Sequence, residues 1–345
     1  MINVYILCGG PSSEHDISLR SALNISKNLN EDKYKIKLVY INKEGAYSDS
    51  FDKIDTSDEF DLVRDIKVNK AKSIANFLDS LSKEDLSETI IIPAVHGTYG
   101  EDGTIQGLLD VAGLKYIGNG LLSSAICMDK VTSNDIFEKN NLRQAKYLYT
   151  NREGFGESFA QKCIDEIGLP LIVKPSANGS SVGVSKVTSK EELLEAGYLA
   201  LKYDKKVLVE ELIVGQEIEF AVVGHMNPDV SRPGAYISDH TFLDYDAKYF
   251  SKTTKESLPY DLDDDKLKEA QDFVRKAYEV CGCEGFARVD IFYGEDGNFY
   301  VNEINTFPGF TPSSFFARLC ELMYKKNFSE VLDILIDDGL ERWSK

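Results

Sequence analysis

This sequence lacks the features that mark secreted and membrane-bound proteins. Its 345 residues contain six cysteines, too few for a disulfide framework in a chain of this length, so we expect reduced thiols. No apolar run approaches the roughly 18 residues that a membrane-spanning helix needs. The N-terminus, Met1–Cys8, lacks the basic region of a signal peptide and leads directly into a glycine turn. These absences predict a cytoplasmic protein.

Positive charge is also scarce. Lys and Arg total 39 against 57 Asp and Glu, which gives a net charge of −18. This excess of negative charge argues against nucleic acid or an anionic membrane as a partner. A polyphosphate can bind such a protein only where Mg²⁺, lysines or backbone amides reverse the local field. The sequence has no Gly-x-x-x-x-Gly-Lys-Ser/Thr motif, which excludes a P-loop enzyme.

The length of the chain predicts two or three domains, and the first third alternates strands and a helix. The predicted elements are strand Val4–Cys8, a helix over residues 17–29, and strands Tyr34–Ile41 and Ile90–Val95. This β-α-β order predicts a parallel sheet that carries ligands at the carboxyl ends of its strands. Residues 56–86 are charged and weakly periodic, which predicts a surface excursion.

The rest of the chain also alternates helices and strands. The predicted helices cover residues 160–167, a segment that starts with a capping box of Ser189 and Glu192, and residues 264–280. The predicted strands cover residues 171–174, 207–210, 218–223 and 235–237. The composition of residues 244–260 predicts a polar loop.

Two strands in the last third carry the most informative polar pattern. The predicted hairpin consists of strands Phe286–Phe292 and Tyr300–Asn305 around the turn Gly294–Gly297. Because side chains two apart share one face of a strand, Arg288 lies beside Asp290, and Glu303 beside Asn305. If the two faces coincide, three oxygen ligands gather next to a guanidinium. Two carboxylates and an amide suit Mg²⁺, so the hairpin predicts magnesium-nucleotide chemistry.

A lysine at the end of a buried strand precedes a loop of small residues. Lys174 ends the strand, and the segment Gly179–Gly183 follows five residues later. Small residues let backbone N–H groups approach phosphate oxygens, and the hydroxyls of Ser180 and Ser181 add donors. A flexible hairpin is the alternative interpretation, and the lysine before the loop favours phosphate binding.

Acidic residues and a histidine mark further candidate positions. Glu210 closes a strand, and Glu217 lies seven residues later. The end of this strand suits an adenine edge, and Glu217 suits ribose hydroxyls. The alternative is that both residues are solvated surface carboxylates. His96 follows a strand in a glycine-rich segment, where an α/β sheet presents its site, whereas His15 is predicted to be exposed. Glu14 is a candidate to hold an ammonium group, with stabilisation of the following helix as its alternative role.

Seven motifs occur in order along nearly the whole chain. They are Gly9-Gly-Pro-Ser-Ser-Glu14, the segment His96–Gly107, Met128-Asp-Lys130, the segment Lys174–Gly183, the segment Asp244–Tyr249, Arg288-x-Asp290 and the segment Asn302–Gly309. Together they resemble the D-alanine–D-alanine ligases of the ATP-grasp superfamily. That family joins two D-alanines through a D-alanyl phosphate, for peptidoglycan precursor synthesis.

The resemblance implies a three-domain ATP-grasp architecture of class α/β, with an α+β arrangement in the ATP-grasp half. Residues 1–126 would form an N-terminal parallel-sheet, Rossmann-like domain that binds the first D-alanine. Residues 127–212 would form a central subdomain with a glycine/serine phosphate lid. Residues 213–345 would carry the magnesium sites, the oxyanion hole and a closing loop. The family also suggests a homodimer.

The resemblance further implies roles for individual residues. ATP would be bound by Lys130, Lys174, Ser181, Glu210, Glu211, Ile213 and Glu217. Two Mg²⁺ ions, for which Mn²⁺ can substitute, would be bound by Asp290, Glu303 and Asn305. The catalytic residues would be Glu14, Ser180, Tyr249, Arg288 and Gly309. The amino-acid substrates would contact His96, Lys248, Ser314 and Phe315.

These roles fit the chemistry of acyl transfer. Glu14 would hold the ammonium of the first D-alanine, and it would form a hydrogen-bonded group with Ser180 and Tyr249 that ties the domains together. Arg288 and the backbone N–H of Gly309 would form an oxyanion hole, where losing one donor typically costs about 3 kcal/mol. Ser314 would take the carboxylate of the second substrate.

The chain departs from the family pattern in places. It has His15-Asp16 where the family often has Arg-Glu, and Ala177-Asn178 where a charged pair is common. It reads Thr-Pro-Ser-Ser-Phe at Thr311–Phe315 where the family usually has Thr-Ser-His-Ser-Leu. Pro312, Ser313 and Phe315 would therefore line an altered second-substrate pocket.

Several alternatives stay open at the level of sequence. The intact Lys248-Tyr249 favours D-alanine as the second substrate, with D-serine or D-lactate as alternatives. A non-catalytic ATP-binding homologue would have lost a motif residue such as Arg288, and none is lost. Another ATP-grasp enzyme, such as a carboxylase or a glutathione-type ligase, is disfavoured by Glu14 and the loop that carries Tyr249.

Overall fold

The computed structural model describes residues 1–179, 182–237 and 255–343. Within this part of the chain, the helices are α1 (His15–Asn28), α2 (Lys70–Leu81), α3 (Thr104–Ala112), α4 (Leu121–Met128), α5 (Lys130–Lys139), α6 (Glu157–Glu166), α7 (Lys190–Ala200), α8 (Asp264–Val280), α9 (Phe315–Tyr324) and α10 (Phe328–Arg342). The strands are β1 (Ile2–Gly9), β2 (Tyr34–Ile41), β3 (Phe51–Asp52), β4 (Thr89–Pro93), β5 (Tyr147–Asn151), β6 (Leu171–Pro175), β7 (Ser185–Val187), β8 (Lys206–Glu211), β9 (Gly215–Val223), β10 (Asp229–Val230), β11 (Ala235–Ile237), β12 (Lys255–Ser257), β13 (Phe286–Gly294) and β14 (Phe299–Asn305). None of the described helices is both long and apolar enough to cross a membrane.

The N-terminal sheet has the strand order β3–β2–β1–β4. β1 is parallel to β2 and β4, which confirms the predicted β-α-β arrangement, and the short β3 is antiparallel to β2. β1 ends in a glycine turn. The φ angle of Gly9 is +92°, and a Cβ atom there would lie 2.2 Å from the carbonyl oxygen of Ile41, so the turn favours glycine at this position. The turn leads into α1, so Glu14 lies at the carboxyl edge of the sheet.

The central sheet is antiparallel and has the order β5–β8–β6–β7. Helices α6 and α7 pack with it around a separate core that includes Phe155, Cys163, Leu171, Leu193 and Val209. All residues of β6 are buried. Its next-to-last residue is Lys174, so burial of the strand fixes the position of that lysine.

The C-terminal sheet is also antiparallel, in the order β10–β9–β13–β14. β13 and β14 form the predicted hairpin. Helices α5 and α8 pack against this sheet, and Phe137 of α5 and Val274 of α8 share a core with Phe220 and Val289 of the strands. A two-stranded sheet of β11 and β12 lies beside β9.

The last two helices connect the C-terminal sheet to the N-terminal one. Leu332, Leu335 and Ile336 of α10 belong to the same core as Leu19 of α1 and Phe286 of β13. The first and last parts of the chain therefore share one continuous core, whereas the central sheet has its own. The division into residues 1–126, 127–212 and 213–345 stays a prediction.

Two expectations about the N-terminal third are wrong. Residues 56–86 include helix α2, whose Phe77 and Leu81 are buried, rather than a surface excursion alone. Ile74, Phe77, Leu78 and Leu81 follow the i, i+3, i+4, i+7 spacing of an amphipathic helix, which the surrounding charged residues obscure. His15 is buried rather than exposed, because its ring folds back onto the glycine turn and its Nδ1 lies 2.6 Å from the carbonyl oxygen of Gly10.

The predicted capping box at the start of α7 forms only in part. The Ser189 hydroxyl accepts the backbone N–H of Glu192 at 3.2 Å, as predicted. The Glu192 carboxylate instead accepts the N–H of Thr188 at 2.6 Å, one residue earlier than a capping box requires.

Candidate active site

Two clefts meet in the middle of the molecule. The larger cleft, of about 610 Å³, lies between the central and C-terminal sheets. The smaller cleft, of about 550 Å³, lies between α1 and the C-terminal sheet. Glu303 and Tyr236 line both. A molecule in one cleft would therefore lie beside a molecule in the other.

Most of the candidate site residues that the structure describes line one cleft or the other, whereas Glu303 lines both and Asp290 lines neither. The larger cleft is lined by Lys130, Lys174, Glu210, Glu211, Ile213 and Glu217. The smaller cleft is lined by Glu14, His96, Arg288, Asn305, Gly309, Ser314 and Phe315. Ser180, Ser181, Lys248 and Tyr249 lie outside the described residues.

The hairpin brings its four polar side chains together. Arg288 pairs with Asn305 and Asp290 with Glu303 across the two strands. The Arg288 guanidinium donates from Nε and Nη2 to the two oxygens of Asp290 at 2.7 and 2.6 Å, and the Asn305 amide donates to the same carboxylate at 3.0 Å. Asp290 is fully buried beneath these groups and lines neither cleft.

A further carboxylate, which sequence reasoning missed, contacts the same arginine. Oε2 of Glu219 on β9 lies 3.0 Å from Nε of Arg288. Burial alone would lower the pKa of Arg288, but the charges of Asp290 and Glu219 outweigh it and hold that pKa well above its usual value. The alternation Glu217-x-Glu219 places both residues on one face of β9 and so marks Glu219 as a candidate in the sequence, whereas its contact with Arg288 depends on the pairing of β9 with β13.

Two lysines in the larger cleft are paired with glutamates. Nζ of Lys174 lies 2.7 Å from Oε2 of Glu210, and Nζ of Lys130 lies 2.9 Å from Oε2 of Glu303. Burial raises the pKa of Glu303, but the charges of Lys130, Lys174 and Arg288 together outweigh burial and bring that pKa to about 2. Lys130 also donates to the carbonyl oxygen of Asn178 at 3.1 Å, which ties it to the glycine-rich loop.

The hairpin donor set fits Mg²⁺. Asp290, Glu303 and Asn305 supply two carboxylates and an amide oxygen, the hard ligands that this ion prefers. Within the described ranges no group of three or more His, Cys, Asp or Glu forms a metal site, in keeping with a set that holds only two carboxylates. Burial is the main cause that raises the pKa of Asp290 to about 7, so this carboxylate lies where a cation would stabilise its charged form.

The smaller cleft includes a histidine with both ring nitrogens engaged. Nε2 of His96 lies 2.8 Å from the Ser21 hydroxyl, and Nδ1 lies 3.1 Å from the carbonyl oxygen of Phe307. Burial lowers the pKa of His96, but Glu101, with Oε1 3.5 Å from Nδ1, outweighs it and raises that pKa overall. His96 thus connects the N-terminal sheet to the segment that carries Gly309.

Two loops approach the carboxylate of Glu14. A Cβ atom on Gly97 would lie 2.7 Å from Oε2 of Glu14, and one on Gly179 would lie 2.8 Å from the same oxygen. The His96 loop and the glycine-rich loop therefore both approach this carboxylate closely. Glycine at these positions lets the backbone come near it.

The wall of the smaller cleft beyond Arg288 is formed by the start of α9. The Ser314 hydroxyl accepts the backbone N–H of Thr311 at 3.1 Å, and a Cβ atom on Gly309 would lie 2.7 Å from that hydroxyl. Phe315 is buried and stacks on Tyr236, with 4.4 Å between ring centroids. Tyr236 is a second cleft residue that sequence reasoning missed.

Two family models match most of the chain. A model described as the D-ala D-ala ligase N-terminus matches residues 3–119, and one described as the D-ala D-ala ligase C-terminus matches residues 136–337. These ranges include the motifs at Glu14, His96, Arg288 and Glu303.

Individual proteins agree with the models. A D-alanine–D-alanine ligase of Finegoldia magna is 39% identical over 346 residues, covering 99% of this chain and 97% of the relative. The structure of the D-alanine–D-alanine ligase from Coxiella burnetii has a TM-score of 0.82 at 29% identity, covering 99% of this chain and 95% of that one. The VanG D-Ala:D-Ser ligase from Enterococcus faecalis has a TM-score of 0.79 at 31% identity, covering 98% of this chain and 99% of that one. The chain therefore belongs to the D-alanine–D-alanine ligase family, and it is a ligase with the ATP-grasp fold.

Proposed function

We propose that this protein joins two D-alanine molecules to form D-alanyl-D-alanine while converting ATP to ADP and phosphate. The observation that carries the proposal is the junction of the two clefts at Glu303. A nucleotide in the lysine-lined larger cleft would present its terminal phosphate to an amino acid in the smaller cleft. Transfer of that phosphate to a carboxylate requires the two reactants to lie side by side, as they would at this junction.

The larger cleft supplies groups for each part of a nucleotide. Lys130 and Lys174 would neutralise phosphate charge, which an acidic protein otherwise repels. Glu210, Glu211 and Ile213 at the end of β8 would meet the adenine, and Glu217 would meet the ribose. Ser181 would add a donor from the phosphate lid.

Asp290, Glu303 and Asn305 would hold two Mg²⁺ ions, with Mn²⁺ as a substitute. When bound, the metal supplies charge neutralisation on the phosphates. The pairing of Glu303 with Lys130 at 2.9 Å keeps a cation beside that carboxylate and holds the lysine at the junction of the clefts.

The smaller cleft would hold the reacting amino acids. Glu14 would bind the ammonium of the first D-alanine, whose carboxylate attacks the terminal phosphorus of ATP and releases ADP. The amine of the second D-alanine then attacks the acyl carbon, and phosphate leaves. Arg288 and the backbone N–H of Gly309 would stabilise the oxyanion of that step.

Several further residues would complete the amino-acid sites. The Ser314 hydroxyl would take the second carboxylate, His96 would lie near the first substrate, and Lys248 would contact substrate from the closing loop. Ser180 and Tyr249 would join Glu14 when the lid closes and excludes water.

D-Serine is the second candidate for the second substrate. The hydroxyls of Thr311, Ser313 and Ser314 cluster at the smaller cleft. Thr311 Oγ1 lies 3.2 Å from Ser313 Oγ and 2.8 Å from Ser314 Oγ. These groups suit a substrate hydroxyl, and a D-Ala:D-Ser ligase is 31% identical to this chain. The stacked rings of Phe315 and Tyr236 instead favour the methyl group of D-alanine.

Product analysis tests the proposal. Purified protein is incubated with ATP, Mg²⁺ and D-alanine alone or mixed with D-serine or D-lactate, and products are identified by mass spectrometry. We expect phosphate release and D-alanyl-D-alanine as the main product. Equal or greater formation of a mixed D-alanyl-D-serine would overturn the choice of second substrate, and nucleotide binding without any product would indicate a non-catalytic homologue.

We also propose that the protein acts as a cytoplasmic homodimer with domains at residues 1–126, 127–212 and 213–345. Light scattering coupled to size-exclusion chromatography tests the dimer: it should report twice the 38.6 kDa of one chain. A mass of one chain at micromolar concentration would contradict it.

A further inference from the structure

Glu219 is a buried carboxylate to which the proposed reaction assigns no role. It lies on β9 directly opposite Asp290 of β13, and it is 3% exposed. Both of its backbone hydrogen-bonding groups are paired with one residue, because its N–H donates to the carbonyl oxygen of Gly234 and its own carbonyl accepts the N–H of Gly234, both at 2.8 Å. Its Oε2 lies 3.0 Å from Nε of Arg288. The Glu219 carboxylate is therefore held next to the Arg288 guanidinium by its position within β9.

Asp290 binds the same guanidinium but has a competing task. Both of its oxygens accept hydrogen bonds from Arg288, and one also accepts a hydrogen bond from Asn305. Asp290 belongs to the donor set that fits Mg²⁺, and a cation bound there would draw on the same oxygen lone pairs. Such a cation would weaken the hold of Asp290 on Arg288, whereas the contact between Glu219 and Arg288 uses no lone pair of Asp290.

We propose that Glu219 is a positioning residue that keeps Arg288 in place when Asp290 is engaged by a metal. A guanidinium offers five N–H donors in a fixed plane, so a carboxylate on the Nε edge orients the rest of the group. Glu219 and Arg288 are both well buried, at 4% and 18% exposure of their side chains, so water replaces either partner poorly. The inference rests on the proposed function, since it is for the oxyanion that the orientation of Arg288 matters.

A double-mutant cycle tests whether Glu219 acts through Arg288. Glu219→Gln keeps the shape and removes the charge; we expect the turnover number for dipeptide to fall about 10–100-fold, the usual effect of misplacing a catalytic group. The KM for ATP should change less than about threefold, because the nucleotide-binding groups are untouched. In an Arg288→Lys background, adding Glu219→Gln should change turnover less than about threefold, because its effect passes through the arginine.

Arginine side-chain NMR gives a readout that does not depend on turnover. The ¹⁵Nε–H signal of Arg288 is assigned by its loss in Arg288→Lys. In the wild-type protein we expect this signal to persist when Mg²⁺ and ADP are added. In Glu219→Gln it should broaden or disappear on the same addition, because Asp290 is then the only one of the two carboxylates left to hold Arg288 and the metal engages it.

Glu84→Gln serves as the matched control. Glu84 is a partly buried carboxylate that accepts hydrogen bonds from Tyr5 at 3.0 Å and Asn3 at 3.3 Å, near the start of β1 and away from the clefts. The Glu84→Gln variant should leave both the turnover number and the Arg288 NMR signal unchanged. If Glu219→Gln does not fold, Glu219→Asp replaces it, because its carboxylate lies one methylene further from Arg288 and should act in the same direction.

The outcomes separate the two proposals. A wild-type protein that makes no dipeptide rejects the proposed function, and the NMR comparison still decides the role of Glu219. Additive losses in the cycle, or an Arg288 signal that responds to Mg²⁺ and ADP alike in wild type and Glu219→Gln, would overturn the positioning role.

Discussion

The two clefts differ in what holds their walls together. The walls of the larger cleft come from two sheets with separate cores, with Lys174 and Glu210 on the central sheet and Glu217 and Glu303 on the C-terminal one. The walls of the smaller cleft come from α1 and from the segment after the hairpin, which share one continuous core. We therefore expect the larger cleft to change its width when one core moves against the other, and the smaller cleft to keep its shape. On this account, nucleotide binding is coupled to movement of the central sheet, and the acyl-transfer groups are set in advance.

The strongest test of this contrast is Arg288→Lys. Lysine keeps the charge but loses the planar donors, so dipeptide formation should fall about 10²–10³-fold. The Kd for ATP should change less than about threefold, because Arg288 does not line the larger cleft. Steady-state kinetics and calorimetry measure the two quantities, with Arg275→Lys at a partly buried position of α8, away from both clefts, as control. An equal fold-loss in dipeptide formation and in ATP affinity would mean that the two clefts do not work separately.

Two core substitutions test the separation of cores directly. Leu193→Ala in the central core and Leu335→Ala in the shared core each remove a fully buried side chain, at 0% and 1% exposure. Each should cost about 3 kcal/mol in the free energy of unfolding. Hydrogen exchange should show lost protection only in β5–β8 for the first, and in both the N-terminal sheet and β13 for the second. Loss of protection throughout the chain in both variants would argue for a single cooperative core.

A smaller effect is expected from Lys174→Met. The substitution removes a cation from the larger cleft and leaves the buried Glu210 without its partner at 2.7 Å. Because a hydrogen bond to a charged group contributes about 1.5–3 kcal/mol, the Kd for ATP should rise about 10–100-fold. Lys186→Met at an exposed position of β7 provides the control from the same sheet. Unchanged ATP affinity in Lys174→Met would remove this lysine from the nucleotide site.

The smallest effect concerns the turn of the hairpin that serves both clefts. The side chains of Asn298 and Tyr300 donate to Asp296 at 2.7 Å each and lower its pKa to about 2. A carboxylate with a lowered folded-state pKa stabilises the fold above its ordinary pKa of 3.8 and loses that contribution as the pH falls toward about 2. Asp296→Asn should therefore be less stable than wild type at pH 5, and the difference should vanish near pH 2. Thermal unfolding across this range measures it, and a difference independent of pH would contradict the assignment.

Local patterns explain how much of the site could be predicted from sequence. Alternation along each strand placed Arg288 beside Asp290 and Glu303 beside Asn305, because the side-chain period of a strand is fixed at two residues. The pairing of the two strands then brings the two faces together. The end of a buried apolar run located Lys174, and the glycine turn after β1 located Glu14. Each of these features depends on residues that are near in sequence.

Features that depend on pairing between distant segments cannot be predicted from local sequence patterns. Glu219 meets Arg288 only because β9 pairs with β13 some distance along the chain, in a register that no local pattern specifies. Tyr236 enters the clefts by stacking on Phe315 of another element. The burial of His15 results from its ring folding onto a turn that only tertiary structure defines.

Transfer of isotope from substrate to phosphate tests the central claim most directly. D-Alanine labelled with ¹⁸O in both carboxylate oxygens is incubated with the protein, unlabelled ATP and Mg²⁺, and the phosphate is analysed by mass spectrometry. If the carboxylate of the first D-alanine attacks the terminal phosphorus at the junction of the clefts, the phosphate should carry one ¹⁸O atom and D-alanyl-D-alanine should form in equal amount. Phosphate without label, whether or not dipeptide forms, would contradict the acyl-phosphate reaction that the two clefts are proposed to perform.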